Sequence, residues 1–360
     1  MDVDRLEQLR ARIDELDQQI QTLITERANC AQQIAAVKQQ TGARPDFYRP
    51  EREAEVLRRI RERNEGPLSG DEVARLFREI MSACLALEQP LCIAYLGPEG
   101  TYTQQAALKH FGHSVQLKAL GAIDEIFREV EAGSADFGVV PVENSTEGAV
   151  NHTLDMFIRS PLRICGDVEM PIHHQLLGLG RALEPITSVR AHQQALAQCR
   201  EWLDVNLPVA ERVAVSSNAE AARMAGQDAQ VAAIAGDIAA EIYGLNVIAT
   251  NIEDDPSNTT RFLVIGNQHV GPSGRDKTSL VVALHNKAGA LYSLLEPIAR
   301  HGVSMSKIES RPSRIAKWDY VFFLDIEGHV QDGNVSAALQ ELEAQASLFK
   351  VLGSYPRCDI

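Results

Sequence analysis

The stretch DRLEQLRARIDELDQQIQTLITERANCAQQIAAVK, residues 4–38, places apolar side chains at a spacing of 3,4,3,4. The seam positions hold Leu6, Leu9, Ile13, Leu16, Ile20, Leu23, Arg27, Cys30, Ile34 and Val37. That spacing keeps one stripe of a helix turned towards a packing partner. Arg27 is the charged occupant, and burying an unpaired guanidinium is costly, so it needs an anion. The pattern leaves three answers open: an internal acid, a locally exposed seam, or an anionic ligand. Lys38 returns to within ~20° of the same face, ~16 Å further along the axis. Arg10 lies ~42 Å from Lys38 on a straight helix. One small anion cannot touch both ends. If all three bases serve one kind of ligand, Arg10 serves a site on another chain, as an antiparallel symmetric dimer would allow.

Outward from this helix, two more are expected. Pro50 suits a first helical turn, and the helix it opens stops before Gly66-Pro67. Ser69-x-x-Glu72 reads as a capping box opening a third helix through Glu88. Cys84 and Glu88 share a face of it. Gln89-Pro90 closes the helical region, residues 1–90. Residues 91–268 alternate strands (near 91–96, 115–120, 136–142, 162–180, 211–216, 231–235, 245–252 and 258–266) with helices. The helices are expected up to Phe111, at 122–132, from about Thr146, and at 190–205, 218–227 and 237–243. Such alternation predicts largely parallel sheets, here in two lobes around a cleft, as in periplasmic-type ligand-binding folds. Strand 136–142 runs into Glu143-Asn144-Ser145, and polar groups there, facing a helix N-terminus, suit an anion. Residues 269–275, with Gly271-Pro272-Ser273-Gly274, read as a linker. Residues 276–360 give strand 278–284, helix 289–301, strands 303–310 and 318–327, helix 333–347 and strand 349–354. That βαββαβ order is ferredoxin-like.

Composition narrows the function. The 360 residues carry a formal charge of −14, with 45% apolar and 23% charged residues, an ordinary globular mixture. An acidic chain is a poor partner for nucleic acid or an anionic membrane. No apolar run reaches the roughly 18 residues of a membrane helix. The acidic start shows no secretory leader, so a cytoplasmic location is expected. The six cysteines are scattered without C-x-x-C, which indicates neither disulfides nor zinc. His173-His174 lacks a second metal-spaced cluster and reads as core or cleft wall. No nucleotide-binding fingerprint stands in place, so no metal or redox cofactor is expected.

Residues 5–89 resemble the all-helical class of chorismate mutases, intertwined dimers with three helices per chain. The resemblance implies that Arg10 of the partner chain, Arg27, Lys38 and Arg52 hold the carboxylates and ether oxygen of chorismate. Glu53 would take the ring hydroxyl, and position 88 would donate to the ether oxygen, with Cys84 at the site. Cys84 stands where Ser is familiar in one branch, and Glu88 where Gln is. A carboxylate cannot donate a hydrogen bond and a carboxylic acid can, so this mutase is expected to need Glu88 protonated.

GPEGTYT, GVVPVENSTEG, PIHHQLL, AHQQALAQC, SNAEAA and NTTRF follow one another much as in prephenate dehydratases. That resemblance implies Thr260 as proton donor to the departing ring hydroxyl, either late in the step or through a relay. Glu143, Asn144, Ser145, Thr101, Gln198 and Ser217 would line the pocket, with Arg261 either binding substrate or structural. Strand alternation should send Thr260 and Arg261 to opposite faces. Two positions depart from the family: Ala191-His192-Gln193-Gln194 replaces Ser-His-Pro-Gln, and Asn218 follows Ser217 where Thr is usual. The last region resembles an ACT domain. Gly289-Ala290-Leu291 and Glu309-Ser310-Arg311-Pro312 match motifs associated with phenylalanine binding. Together the segments resemble bifunctional chorismate mutase/prephenate dehydratases, which implies chorismate, prephenate and L-phenylalanine as partners, in a homodimer or higher homo-oligomer. The rival readings are a non-catalytic ligand-responsive sensor, or a chain keeping one of the two activities.

Overall fold

The 3,4 spacing of the opening residues produces one continuous helix. In a computed structural model describing residues 2–40, 48–284, 288–312 and 320–358, α1 spans Asp2–Gln40, ~58 Å at 1.5 Å per residue. The next helix, α2, spans Pro50–Arg63 with Pro50 in its first turn, where a missing N–H costs nothing. The third, α3, spans Gly70–Glu88, and Ser69 Oγ accepts from Glu72 N at 3.1 Å. That bond satisfies one of the free amides of the first turn. The carboxylate of Glu72 turns outward to Arg75 instead of closing the expected box. Helix α3 packs along α1, and Leu57, Ile60 and Ala74 form a small core between α2 and α3. The apolar seam of α1 stays uncovered within the chain: Leu6, Leu9, Ile13, Leu16, Ile20, Leu23, Ile34 and Val37 are 40–63% exposed.

The described chain divides into two units. One holds residues 1–49, 55–91 and 111–116; the other holds 50–54, 92–110 and 117–360. The elements that follow the helices are, in order, β1 (Cys92–Leu96), α4 (Tyr102–Phe111), β2 (Gln116–Leu120), α5 (Ile123–Glu131), β3 (Phe137–Asn144), β4 (Gly148–Ala149), α6 (Asn151–Arg159), β5 (Arg163–Pro171) and β6 (Gln175–Gly178). Then come β7 (Ser188–His192), α7 (Gln193–Gln198), α8 (Arg200–Asn206), β8 (Glu211–Val215), α9 (Asn218–Ala225), β9 (Val231–Ala235), α10 (Asp237–Tyr243), β10 (Asn246–Ala249) and β11 (Thr259–Gly266). Two sheets result, of order β2-β1-β3-β11-β5 with β4 on β3, and β10-β6-β9-β7-β8.

The two lobes were expected, but the sheets are mixed rather than largely parallel. β1 and β3 run parallel, as do β7, β8 and β9. β11 is antiparallel to both β3 and β5, and β6 is antiparallel to β9 and β10. The cause is the excursion of the chain. It leaves the first lobe along β5 and returns along β11, so those two neighbours must run in opposite directions. Two helices were also misplaced. Beyond Asn144 the chain turns through a hairpin to β4, with Gly148 at φ +81°, and helix begins only at Asn151. At 190–205 a strand comes first, because Val189 and Ala191 are fully buried in the sheet. Helix follows in two pieces that meet at the buried Cys199.

The last region contributes β12 (Asp276–Leu284), α11 (Ala290–Arg300), β13 (Met305–Pro312), β14 (Tyr320–Glu327), α12 (Gly333–Gln345) and β15 (Leu348–Pro356). Its antiparallel order β13-β14-β12-β15 is the expected ferredoxin-like one. Residues 318–319 of the strand expected at 318–327 lie outside the described residues. Alternation along β12 buries both faces. Leu280, Val282 and Leu284 pack beneath α11 and α12. Val281 and Ala283, with Phe323, Leu352 and Tyr355, join the core of the first lobe beside Phe157, Ile164 and Leu263.

At the centre of this contact Gly353 of β15 passes close to the backbone of β5. A Cβ on Gly353 would lie 2.2 Å from Ile164 O. Gly353→Ala therefore forces backbone apart and should cost ~3 kcal/mol, the upper end for overpacking. Denaturant titration measures it; a midpoint equal to that of the parent protein would show that β15 and β5 do not approach so closely.

Candidate functional site

Two clusters collect the charged and polar side chains singled out above. The first lies in the helical region. Arg27 and Lys38 of α1 are half-buried, Glu88 of α3 is half-buried, and Cys84 one turn before it is buried. Glu88 Oε2 is buried and has no hydrogen-bond partner among the described residues. Burial pushes the Glu88 carboxyl above its ordinary pKa, against the opposing pull of Lys38 and then Arg27. No acid lies within ion-pair distance of Arg27 among the described residues. Two cations near an orphaned carboxyl oxygen suit an anion that also offers a hydrogen-bond acceptor. Arg10 is exposed on the same unbroken helix. Arg52 and Glu53 occupy the first turn of α2.

The second cluster sits where the two lobes meet. The chain crosses between them twice, at residues 172–174 and 250–258. The crossings are zipped together by Ile172 N to Asn258 O and Ile252 N to His174 O, both 2.8 Å. Asn144, at the end of β3, controls the site. Its Oδ1 accepts from the backbone N–H of Thr146 at 3.0 Å and of Glu147 at 3.1 Å. Those donors fix the amide orientation, so Nδ2 must point the other way. Nδ2 donates to Asn258 Oδ1 at 2.9 Å and to Thr260 Oγ1 at 2.8 Å. Thr260 therefore accepts from Asn144, and no described residue accepts its own proton. Accepting one hydrogen bond strengthens the donation of the other. Thr260 is thus presented as a donor.

Gln198, at the end of α7, completes this group. It contacts Thr146 Oγ1 at 3.4 Å and His174 Nε2 at 2.8 Å. Ser145 holds β11 through Thr259 N and O, both 2.9 Å. Thr101 donates to Leu96 O at 3.0 Å in the GPEGTYT turn. Ser217 caps α9 by accepting from Glu220 N at 3.0 Å. Asn144, Thr260 and Gln198 are thus brought together, with Ser145 beside them, whereas the hydroxyls of Thr101 and Ser217 serve local structure.

Two expected pocket residues face elsewhere. Arg261 and Glu143 are cross-strand neighbours, as are Thr260 and Asn144. Successive side chains alternate faces, so Arg261 and Glu143 leave on the opposite side. Arg261 donates to Asp167 at 3.1 Å, to Tyr355 Oη at 3.0 Å, and to Asp325. Burial works against its charge, but Tyr355, Asp325 and Asp167 outweigh it and raise its pKa. Arg261 is thus held in a buried ion-pair network on the face of the sheet opposite Thr260. Glu143 pairs with Lys307 of β13. Asn258, Tyr102 and Thr146 belong to the cluster but are not among the expected site residues, and His174, expected as core or cleft wall, belongs to it as well. Asn258 and Tyr102 lay inside quoted motifs; only the fold shows that Asn258 anchors Asn144.

In the last region Gly289 has φ +82° and precedes α11, with Ala290 opening the helix and Leu291 exposed. Only glycine takes such a φ without strain. On β13, Lys307, Glu309 and Arg311 alternate with exposed Ile308, Ser310 and Pro312. Arg311 donates to Asn151 O at 2.8 Å and pairs with Asp155 at 2.9 Å, both on α6. Glu309 lines a cavity of about 30 Å³ with Arg261, Lys307 and Asp325. The Glu-Ser-Arg-Pro motif is therefore split between the two faces of β13. Among the described residues no helix is long and apolar enough to cross a membrane. Among them no cluster of His, Cys, Asp or Glu could hold a metal ion.

Comparison with known proteins follows the same order. Family models match for chorismate mutase type II over residues 9–89, prephenate dehydratase over 93–270 and the ACT domain over 278–344. The chain is 58% identical over 360 residues to a bifunctional chorismate mutase/prephenate dehydratase of Stutzerimonas stutzeri, covering 99% of each. It is 57% identical over 360 residues to one of Pseudomonas aeruginosa, again covering 99% of each. A crystal structure of prephenate dehydratase in complex with L-Phe, from Arthrobacter aurescens, is 37% identical with a TM-score of 0.69. The match covers 75% of this chain and 91% of that one. Helical, two-lobed and ferredoxin-like parts thus match in sequence and order from end to end, and the chain belongs to the family of bifunctional chorismate mutase/prephenate dehydratases.

Proposed function

We propose that this chain rearranges chorismate to prephenate and then decarboxylates and dehydrates prephenate to phenylpyruvate, as a cytoplasmic enzyme inhibited by L-phenylalanine. The observation that carries the reading is that Asn144 holds Thr260 as a donor, in a chain that also keeps the Arg27, Lys38 and Glu88 cluster. The first reaction is unimolecular and needs no nucleophile or cofactor. Cations hold the dianion in a compact conformer, and a donor stabilises charge developing on the ether oxygen. Arg27 and Lys38 supply the cations, with Arg52 and Glu53 as further expected ligands. Glu88 donates as a carboxylic acid, a form that its raised pKa favours.

In the second reaction the electrons of the bond to the departing carboxylate flow into the ring. The ring C–O bond breaks, and the leaving hydroxyl takes a proton from Thr260, which solvent restores. Aromatisation drives the step, so the enzyme need only assist the leaving group and position the carboxylates.

A second copy of the chain covers the exposed seam of α1 in this reading. Eight apolar residues along one face of a long helix form a surface of the kind that marks an interface. Arg10 of that copy then completes the site, in a dimer or larger assembly. Gly289, Ala290 and Leu291, with Glu309, Ser310, Arg311 and Pro312, form the proposed phenylalanine site. Lys307 with Glu143, and Arg311 with Asp155, tie the strand carrying that site to β3 and α6. Phenylalanine binding must weaken and be weakened by substrate binding to the same extent.

Three measurements check the reading. Purified protein given chorismate should form prephenate and then phenylpyruvate, while Thr260→Ala should stop at prephenate; undiminished phenylpyruvate from Thr260→Ala rejects its role. Mutase activity should rise as pH falls through the raised pKa of Glu88, since the proton is then present to donate, and Glu88→Gln should flatten that profile; a parent profile flat from about pH 5 to 8 contradicts it. Finally, Arg10→Ala and Arg27→Ala chains, each inactive as mutases, should recover about a quarter of mutase activity when mixed and refolded together. No recovery means that Arg10 acts within its own chain.

A further inference from the structure

The bonds around His174 do not close when the imidazole is neutral. His174 is buried, at 2% exposure, on the first crossing between the lobes. Tyr102 Oη lies 2.8 Å from His173 O and 2.9 Å from His174 Nδ1. A carbonyl oxygen can only accept, so the single phenolic proton goes to His173 O. Tyr102 must then accept from His174, and Nδ1 carries a proton. Packing fixes the tyrosine, because a Cβ on Gly236 would lie 2.8 Å from its ring. The other ring nitrogen faces Gln198. If the ring is neutral, Nε2 is a bare acceptor and needs the NH2 of Gln198.

Thr146 makes the same demand. Its Oγ1 is 2.8 Å from Asn144 Oδ1 and 3.0 Å from Asn258 Oδ1, both acceptors, so the hydroxyl proton goes to one of them. What Thr146 offers Gln198 is a lone pair, again calling for NH2. One amide cannot turn its NH2 both ways. A doubly protonated His174 removes the conflict: Nε2–H donates to Gln198 Oε1, and the NH2 is released towards Thr146 and the lobe junction.

We propose that Tyr102 and His174 are positioning residues of the dehydratase, and that His174 gains its second proton when Gln198 turns its NH2 to a carboxylate of prephenate. This rests on the reading above that Gln198 addresses the substrate. With the site empty, burial pushes the pKa of His174 down, the bond to Gln198 and the charge of Glu253 oppose that, and His173 adds to it. Glu253, on the second crossing, accepts from His173 Nδ1 at 2.7 Å and His174 N at 2.8 Å. Burial raises its own pKa, but these bonds outweigh it, so Glu253 remains a carboxylate beside the imidazole. Cys199 of the α7–α8 junction, Glu253 and Asp237 of α10 face Tyr102, and burial holds both the phenol and that thiol in their protonated forms.

Binding raises the pKa of His174, so substrate is held most tightly below the free-enzyme value and progressively less as pH rises towards the bound-state value. The KM for prephenate should rise about tenfold per pH unit inside that window, with kcat moving much less. His174→Gln keeps a donor where Nε2–H stands but cannot titrate, so its KM should be flat between about pH 6 and 8. Tyr102→Phe keeps the ring and removes the acceptor for Nδ1–H, so KM should rise about tenfold near pH 6. The mutase assay on the same samples reports that each chain is folded. A His174→Gln enzyme that keeps the parent's pH profile overturns the proposal. A Gln198→Leu enzyme with an unchanged KM overturns it differently, by showing that Gln198 does not meet prephenate at all.

Discussion

Thr260 and Arg261 are adjacent on β11, and their side chains leave on opposite faces. Much of the larger unit depends on that alternation. On one side Asn144 donates to Thr260 and turns its hydroxyl into a donor. On the other, Arg261 binds Asp167 of β5, Asp325 of β14 and Tyr355 of β15. Lys277 adds a second cation to Asp167 at 2.9 Å. Removing one partner from such a buried set would strand a charge, which is far more costly than a lost surface pair. The strand that carries the proposed proton donor is therefore also the strand on which the ferredoxin-like sheet is docked.

The same division recurs one strand away. Asn144 and Glu143 end β3, the first facing Thr260 and the second facing Lys307. Two adjacent dipeptides, Glu143-Asn144 and Thr260-Arg261, each send one side chain to the lobe junction and one to the ferredoxin-like sheet. Lys307 ties β13 to β3 and Arg311 ties it to α6, and both elements flank the hairpin whose amides orient Asn144. Apolar residues on both faces of β12 add to this docking, because the ferredoxin-like sheet shares a core with the first lobe.

The helical unit works by a different principle. Glu88 Oε2 is buried without a hydrogen-bond partner among the described residues, and the long apolar face of α1 is exposed among them. The carboxyl of Glu88 lies between burial, which favours its neutral form, and the charges of Lys38 and Arg27, which oppose that form. A carboxyl balanced in this way is favoured in the protonated form that can donate a hydrogen bond.

The local record was strong where one residue decides one bond. The helical spacing of residues 4–38, Pro50 in a first turn, Ser69 as an N-cap and the alternation at Thr260-Arg261 are legible, because helix and strand periodicity are properties of consecutive residues, whereas the capping box expected with Glu72 does not close. The motif order was enough to reveal the family. What sequence could not supply was direction over long separations. Whether β11 runs with or against β3 depends on where the chain returns, and the hairpin after Asn144 depends on backbone amides folding onto its side chain. Glu143 reads as a pocket residue beside Asn144, and only the sheet places it on the other face; for Arg261, strand alternation alone already gives the opposite face from Thr260. Asn258, Tyr102 and His174 acquire their roles from contacts with residues far away in the chain, since a hydrogen bond is decided by where its partner stands.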